Sequence, residues 1–476
     1  MTVRVTGPLL LSLAVVTGGC SMAPLYQRPA APVAGEFASA TGTGTASSQT
    51  PASAIGWREF FPDARLQELI TTALANNRDL RTAALRIEEA RALANLQSAD
   101  LLPNLNVTAS GSRARIPGSL NPSGNSIVSS SYTVGVSLAA FELDFFGRVR
   151  SLNDAVLAQY LASAEAREAA QLFLIGEVAK AYLSERSNAE QLSLAQQTLA
   201  GRQNAFELAR QRFEVGASSA LDLRLSETLV QSARVAVLTL QRQRAQAANA
   251  LTLLVGQPIA SLDAATPLSA QQIVSDIPAG LPSDLLANRP DIRAAEQRLK
   301  AANANIGAAR AAFFPRIALT SALGTSSNAL SGLFEAGSRS WSFAPQLLLP
   351  IFDAGRNRAN LTLAEVRKQL AVTDYEKSIQ VAFREVADAL DARALLDQQV
   401  EAQSAVVEAQ QQRLTLAEQR FQNGIASALD VVDAQRDLFT AQQGLVQIRQ
   451  LRLTNAVDLY RALGGGRIAR AGEHAE

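Results

Sequence analysis

The chain is short of the parts that catalysis and metal binding use. Its 476 residues include one histidine, His474, in a polar tail, and one cysteine, Cys20. No His/Cys metal cluster, cysteine nucleophile or Ser-His-Asp arrangement can be assembled from these. Carboxylates are plentiful, but no pair stands out from the pattern of a helical surface, so an enzyme is not expected. Charge is balanced, with 44 basic and 43 acidic residues, which gives no sign bias toward nucleic acid. A lone cysteine excludes a disulfide framework. Aromatics are 5% of the chain, while Ala, Leu, Gln and Arg are abundant. That balance favours long helices with thin interfaces over a thick core. Proline is absent between Pro122 and Pro258 and again after Pro350, so long helices can run unbroken there.

What is present is a repeat. The stretch from Gln211-Arg212-Phe213 to Leu221-Asp222 returns 208 residues later as Gln419-Arg420-Phe421 to Leu429-Asp430. Gly147-Arg148 and Gly355-Arg356 share that offset, whereas Asp79-Leu80-Arg81 and Asp291-Ile292-Arg293 are 212 apart. The four-residue change falls between Pro103 and Gly147. The period is too long for a solenoid and implies two equivalent halves.

Each half reads as helix, two strands, long helix, turn and helix. In the first, a helix over about 79–101 stops before Pro103, and Leu105, Val107 and Ala109 then alternate with polar neighbours. Tyr132, Val134, Val136 and Leu138 alternate on the return strand. Ile317, Leu319 and Leu323, then Trp341, Phe343, Leu347 and Leu349, repeat this in the second half. Strands of about ten residues with one apolar face suit an outer-membrane β-barrel better than a hairpin packed on a soluble domain. Four strands cannot close a useful barrel, and open edges in lipid would leave backbone groups unpaired. The barrel is therefore expected to be shared among chains.

Arg148–Glu214 and Arg356–Gln422 can each run as one helix of roughly 100 Å at about 1.5 Å per residue. Leu192, Ala195, Leu199, Phe206, Ala209 and Phe213 fall on a coiled-coil-like spacing that Arg202 interrupts. Ile379, Phe383, Val386 and Leu390 form a second such seam. Gly216 and Gly424 stand where each chain reversal must lie, and Ser218 or Ser219, and Ser427, can cap the returning helices. Asp222 and Asp430 follow in the first turns, where acids suit the helix dipole without any further role.

The N-terminus reads as a processing signal, residues 1–19. Arg4 precedes an apolar run, Leu9 to Val16, shorter than the about 20 residues a membrane-spanning helix needs. Thr17-Gly18-Gly19-Cys20 resembles a bacterial lipoprotein signal, with Thr17 where Leu is usual; Cys20 would carry a covalent lipid. The other reading makes Cys20 a buried structural residue. Ser21 after the cysteine implies outer-membrane sorting. Residues 20–55, rich in Ala, Pro, Gly, Ser and Thr, read as a lipidated extended tether.

Five stretches stand out as motifs: Cys20 to Pro29, Leu281-Pro282-Ser283-Asp284-Leu285-Leu286-Ala287-Asn288-Arg289-Pro290-Asp291-Ile292, Phe313-Phe314-Pro315, Ala428 to Arg436 and Leu459 to Gly466. Through them the chain as a whole resembles a TolC-type outer-membrane efflux factor of the OprM/NodT-like lipoprotein branch. The resemblance implies a mainly α fold with a β-barrel part. A duplicated helix-hairpin-helix-turn-helix unit would give four strands per chain to a trimeric twelve-stranded outer-membrane barrel, continued by a periplasmic α-helical coiled-coil tunnel. Residues 56–256 would be the first repeat, with its hairpin about 104–144. A girdle segment, 257–290, would precede the second repeat, 291–466, with its hairpin about 316–350 and a polar tail over 467–476. The resemblance further implies a homotrimer that works with a periplasmic adaptor and an inner-membrane transporter, most simply of the proton-driven resistance-nodulation-division type. It implies no nucleic acid and no cofactor besides the lipid on Cys20. The family's constriction maps onto Leu429 and Asp433, with Asp430 close by; three-fold rings of these acids would attract cations. The opposing reading makes Asp430 a helix-start acid and Asp433 a solvated partner of Arg436. Adaptor docking would fall on the turns: Phe213, Gly216, Ser218, Ser219, Leu221 and Asp222, and Phe421, Gly424, Ser427 and Leu429. The exit duct of an ATP-driven secretion system and a non-conducting envelope scaffold are the alternatives.

Overall fold

The computed structural model describes residues 21–35, 37, 51–122, 124–260, 267–271, 273, 274, 277 and 282–466. Cys20, the signal segment and His474 lie outside them. The helices are α1 (Trp57–Phe60), α2 (Ala64–Asn76), α3 (Arg78–Ala99), α4 (Arg148–Glu214), α5 (Ala220–Val255), α6 (Pro282–Asn288), α7 (Pro290–Ala311), α8 (Arg356–Gln422) and α9 (Ala428–Ala462). The strands are β1 (Leu105–Ile116), β2 (Ile127–Leu143), β3 (Arg316–Ser327) and β4 (Arg339–Leu348). The duplication is visible element by element, with α3-β1-β2-α4-α5 answered by α7-β3-β4-α8-α9. Both α4 and α8 are 67 residues long, and neither contains a proline to interrupt its hydrogen-bond ladder.

The chain divides into two compact units, and α4 and α8 contribute residues to both. The first comprises residues 1–30, 86–164 and 294–376 and contains all four strands. They form one antiparallel sheet in the order β1-β2-β3-β4. The hairpins of the two halves are thus joined through β2 and β3, from Tyr132↔Ser327 to Leu143↔Ile317. Gly135 faces Gly324 at this junction. A Cβ on Gly135 would meet the Leu323 carbonyl oxygen at 2.6 Å, and one on Gly324 would meet that of Val134 still closer. The two strands approach at a distance only glycine allows. A bulge between Leu138 and Phe141 puts Ala140 at φ 46°, and its N–H donates to Thr320 Oγ1 at 3.2 Å.

The sheet leaves β1 and β4 as open edges and exposes large apolar side chains. Val107 is 80% exposed and Trp341 78%, with Phe343 and Leu347 close behind. Ion pairs fix the sheet's end to the helices. Glu142 accepts both Arg148 Nε and Arg148 Nη2 at 2.7 Å and also pairs with Arg316. Phe146 stacks on Phe314 with ring centres 4.7 Å apart.

The first residues of the segment expected to be a tether are docked. Arg28 donates to Glu296 of α7 through Nε (3.0 Å) and Nη2 (2.7 Å), and Tyr26 Oη donates to the same carboxylate at 3.1 Å. Glu296 is buried, so the cation and the phenol replace the water it has lost. Burial and the neighbouring Glu296 raise the Tyr26 phenol above its ordinary value and keep it a donor. Asn303 Nδ2 donates to the Pro24 carbonyl at 2.7 Å.

The second unit comprises residues 31–85, 165–293 and 377–476. Asp63 caps α2, accepting the Arg65 and Leu66 amides, and takes a 2.9 Å bond from Tyr182 Oη. Burial, then this carboxylate, pushes the Tyr182 hydroxyl up to about 12. Leu66, Leu69, Ile70 and Ala73 supply the buried face of α2. Phe60 stacks on Tyr460 at 4.1 Å, and Tyr460 Oη donates to the Ile55 carbonyl at 2.8 Å. Arg289, in the link between α6 and α7, is the central connector. It donates to Asp291 (3.0 and 2.6 Å), Glu385 of α8 (2.7 Å) and the Ala462 carbonyl at the end of α9 (3.2 Å).

Replacing Arg289 removes a buried cation and leaves three acceptors short of a donor. Its side chain is 9% exposed, against 42% for Asp291 and 28% for Glu385, so water recovers part of the loss. Arg289→Leu is expected to cost about 3 kcal/mol, the low end for breaking a buried pair. Thermal unfolding of the detergent-solubilised protein checks this, and an unchanged midpoint contradicts it. Adding Glu385→Leu should restore part of the loss.

Candidate functional site

The two helical turns are built alike. In each, a glycine in the left-handed region ends the long helix, at φ 73° for Gly216 and 71° for Gly424. Gly216 N donates to Phe213 O (2.9 Å) and Ala217 N to Arg212 O (2.7 Å). Gly424 N donates to Phe421 O (3.0 Å) and Ile425 N to Arg420 O (2.9 Å). These paired bonds make a Schellman motif, which a β-carbon at the glycine would strain. The returning helices start with matching capping boxes. Asp222 N donates to Ser219 Oγ at 3.2 Å while Ser219 N donates back to Asp222 Oδ2 at 3.3 Å. The Ser427–Asp430 pair does the same at 3.3 and 2.9 Å. Of the two serines the sequence left open, Ser219 is the cap. Ser218 Oγ donates to Ala209 O at 3.5 Å.

Asp430 therefore performs the helix-start task. The Ser427 bonds, from its backbone and then its hydroxyl, hold this exposed carboxyl below its ordinary range. Asp433 pairs with Arg436 at 3.2 Å. Arg436 also reaches Asp437 at 3.3 Å, and Asp437 accepts Arg413 of α8 at 2.7 Å. Arg413, then Arg436, holds Asp437 below the usual carboxylate range. This ladder has no counterpart in the first half, where the 208-residue offset lands on Leu225, Thr228, Leu229 and Ala205 in place of Asp433, Arg436, Asp437 and Arg413. Subtracting one copy from the other would have revealed it. Leu429 is 52% exposed, as are Leu221, Val215 and Ile425 to a greater degree. The apolar seam closes only in part. Leu192 and Ala195 of α4 pack with Val237 and Leu240 of α5, and Leu199 and Phe439 lie against them. Phe213, at the far end, is exposed because one chain supplies no element to cover it.

Ser427→Ala is expected to free the Asp430 amide and loosen the start of α9 by about 1 kcal/mol, roughly a fivefold change in local opening. Hydrogen exchange across 428–433 reads this, and wild-type protection in the variant contradicts it. Asp430 and Asp437 are both held below the ordinary carboxylate value of 3.8 in the folded chain. Their stabilisation is thus complete above about pH 4 and is lost as pH falls through the folded values. Wild-type exchange in this segment should show no step between pH 5 and 7.

Among the described residues no group of His, Cys, Asp and Glu could hold a metal ion. None of their helices is long and apolar enough to cross a membrane. The sequence matches the family described as Outer membrane efflux protein over residues 69–257 and 281–465, one match for each half. It is 49% identical over 465 residues to Outer membrane protein OprJ of Pseudomonas aeruginosa, covering 97% of this chain and 96% of that protein. It is 46% identical over 470 residues to Toluene efflux pump outer membrane protein TtgC of Pseudomonas putida, covering 98% and 97%. The crystal structure of the open state of the Neisseria gonorrhoeae MtrE outer membrane channel superposes with a TM-score of 0.86 at 44% identity, over 94% of this chain and 99% of that one. With the duplicated helices, the exposed four-stranded sheet and this coverage together, the chain belongs to the outer membrane efflux protein family.

Proposed function

We propose that the chain is the passive exit duct of a tripartite efflux pump, working as a homotrimer in the outer membrane. The observation that carries this reading is the four-stranded sheet with two open edges and an apolar face, on the same chain as two 67-residue helices. Three such sheets, joined β1 to β4, close a twelve-stranded barrel without an unpaired edge. The helices continue it as a tunnel into the periplasm. A periplasmic adaptor docks on the two turns and links the duct to an inner-membrane transporter of the resistance-nodulation-division type. The naming of the TtgC relative supports small apolar compounds as cargo. Cys20 carries the lipid anchor. The duct does no chemistry of its own; the transporter supplies the energy.

Leu429 and Asp433 line the closed throat. Asp430 adds charge at the same level while it completes the capping box with Ser427. The ion ladder confined to the second half supports this placement, since the first half shares the cap but not the acid at Asp433.

Two experiments test the reading. In planar bilayers the purified trimer should give small, cation-preferring conductance, and Asp433→Ala should raise conductance and weaken the cation preference. A monomer without conductance sinks the duct, and an Asp433→Ala channel identical to wild type sinks the gate assignment alone. Gly216→Val with Gly424→Val forces a β-branched residue into the left-handed region at both turns. It should abolish export in cells while leaving trimer yield within about twofold, since the strain stays in the last turn. Wild-type export by a well-assembled double variant contradicts docking at the turns.

A further inference from the structure

Near the turn between α4 and α5 sits a charge that the proposed throat does not use. Arg202 interrupts the apolar seam of α4, at a position where the second half has Gln410. It is 7% exposed. Its Nη1 donates to the Leu229 carbonyl at 3.2 Å, its guanidinium lies 5.9 Å from the centre of the Phe439 ring, and its Nε is buried without a hydrogen-bond partner. Burial pushes it below its ordinary value, and among the described residues no carboxylate lies beside it to offset the lost water. A cation in this position destabilises the chain unless something pairs with it.

Arg202 also lines a cavity of about 390 Å³. Ala205 and Leu208 of α4, Leu229 of α5, and Val431 and Val432 of α9 give that cavity apolar walls. Arg212 and Asp222 also line it. Asp222 is engaged by Ser219, and Arg212 lies 5.7 Å from the Phe421 ring centre, so two cations face one occupied carboxylate. The volume falls within the roughly 300–1,000 Å³ of sites for drug-sized molecules, and an apolar cleft with a few convergent polar groups is their common form.

We propose that this cavity is a binding site for a small organic anion, an aromatic or short-chain carboxylate. Its apolar body lies against Ala205, Leu208, Leu229, Val431 and Val432, and its carboxylate pairs with Arg202. The walls disfavour a hydrated inorganic anion, which has no apolar surface to offer them. A neutral arene fills the space but leaves Arg202 unpaired. Because α4, α5 and α9 all contribute, an occupied site ties the hairpins of the two halves together, and this binding does not depend on where the throat lies.

The probe is 2-naphthoate, with neutral 2-naphthamide as its control, measured by equilibrium dialysis against full-length protein in detergent with a protein-free detergent blank. One saturable site per chain is expected for naphthoate, with naphthamide about tenfold weaker or worse, the equivalent of about 1.4 kcal/mol. Arg202→Gln should weaken naphthoate by a similar factor and leave naphthamide unchanged, while Arg202→Lys retains part of the preference. Ala205→Phe, at an exposed position, fills the cavity and should abolish both, which covers the case where Arg202→Gln does not assemble. Uptake equal to the blank, equal binding by the acid and the amide, or wild-type binding by Ala205→Phe would each overturn the proposal.

Discussion

A strand in hydrocarbon has no water to satisfy its backbone, and every other property of this chain depends on that constraint. The four strands bond to each other and then stop, with the N–H and C=O groups of β1 and β4 facing outward and Val107 and Trp341 bare. In water such a surface would aggregate; in lipid its edges would each cost several kcal/mol per unpaired group. Other copies of the same sheet, as in the proposed trimer, would meet both demands, since they offer edges of the same length and the same apolar face. The open seam at Phe213 poses the same demand among the helices.

Duplication explains which residues are architecture. What both halves share is what a reversal of a long helix needs: glycine at a positive φ, a serine cap, an aspartate three residues on and the leucine before it. What they do not share has been freed from that work. The first half puts Leu225, Leu229 and Ala205 where the second puts Asp433, Asp437 and Arg413, and Arg202 stands where the second has Gln410. The α4–α5 turn has a buried cation behind it, and the α8–α9 turn an exposed ionic ladder that links its two helices. The proposed throat and the proposed anion cavity both lie where the copies diverge.

The helices and hairpins were legible because local chemistry marks them. Proline stops α3 and α7, glycine and serine bracket the turns, and period-2 alternation reveals each strand. The joining of β2 to β3 was not, because it pairs segments about 190 residues apart and only the Gly135–Gly324 approach records it. The docking of residues 21–30 is illegible for a similar reason: Arg28 and Glu296 are 268 positions apart, and a Pro- and Ala-rich stretch looks like a tether whatever it lies on. Arg289 stands inside a motif that carries the family resemblance, but its task of gathering Asp291, Glu385 and the Ala462 carbonyl joins residues from distant parts of the chain that no local pattern links.

The acids at the second turn show why position and role must be argued separately. Asp430 is fully accounted for by its bonds to Ser427, and Asp222 proves the point by making the same bonds where no throat residue is assigned. Its charge in the tunnel would follow from a cap that any such helix needs. Asp433 has no such reason to exist. A neutral residue serves its place in the first half, and its pairing with Arg436 is an exposed i,i+3 contact worth a fraction of a kcal/mol. An acid whose structural worth is that small stands out only for the field it creates. The selectivity of a narrow, water-filled throat rests on such a field. Leu429 is the reverse case: its apolar twin Leu221 is exposed at the other turn, so exposure does not mark it, and its proposed place in the throat rests on the family resemblance.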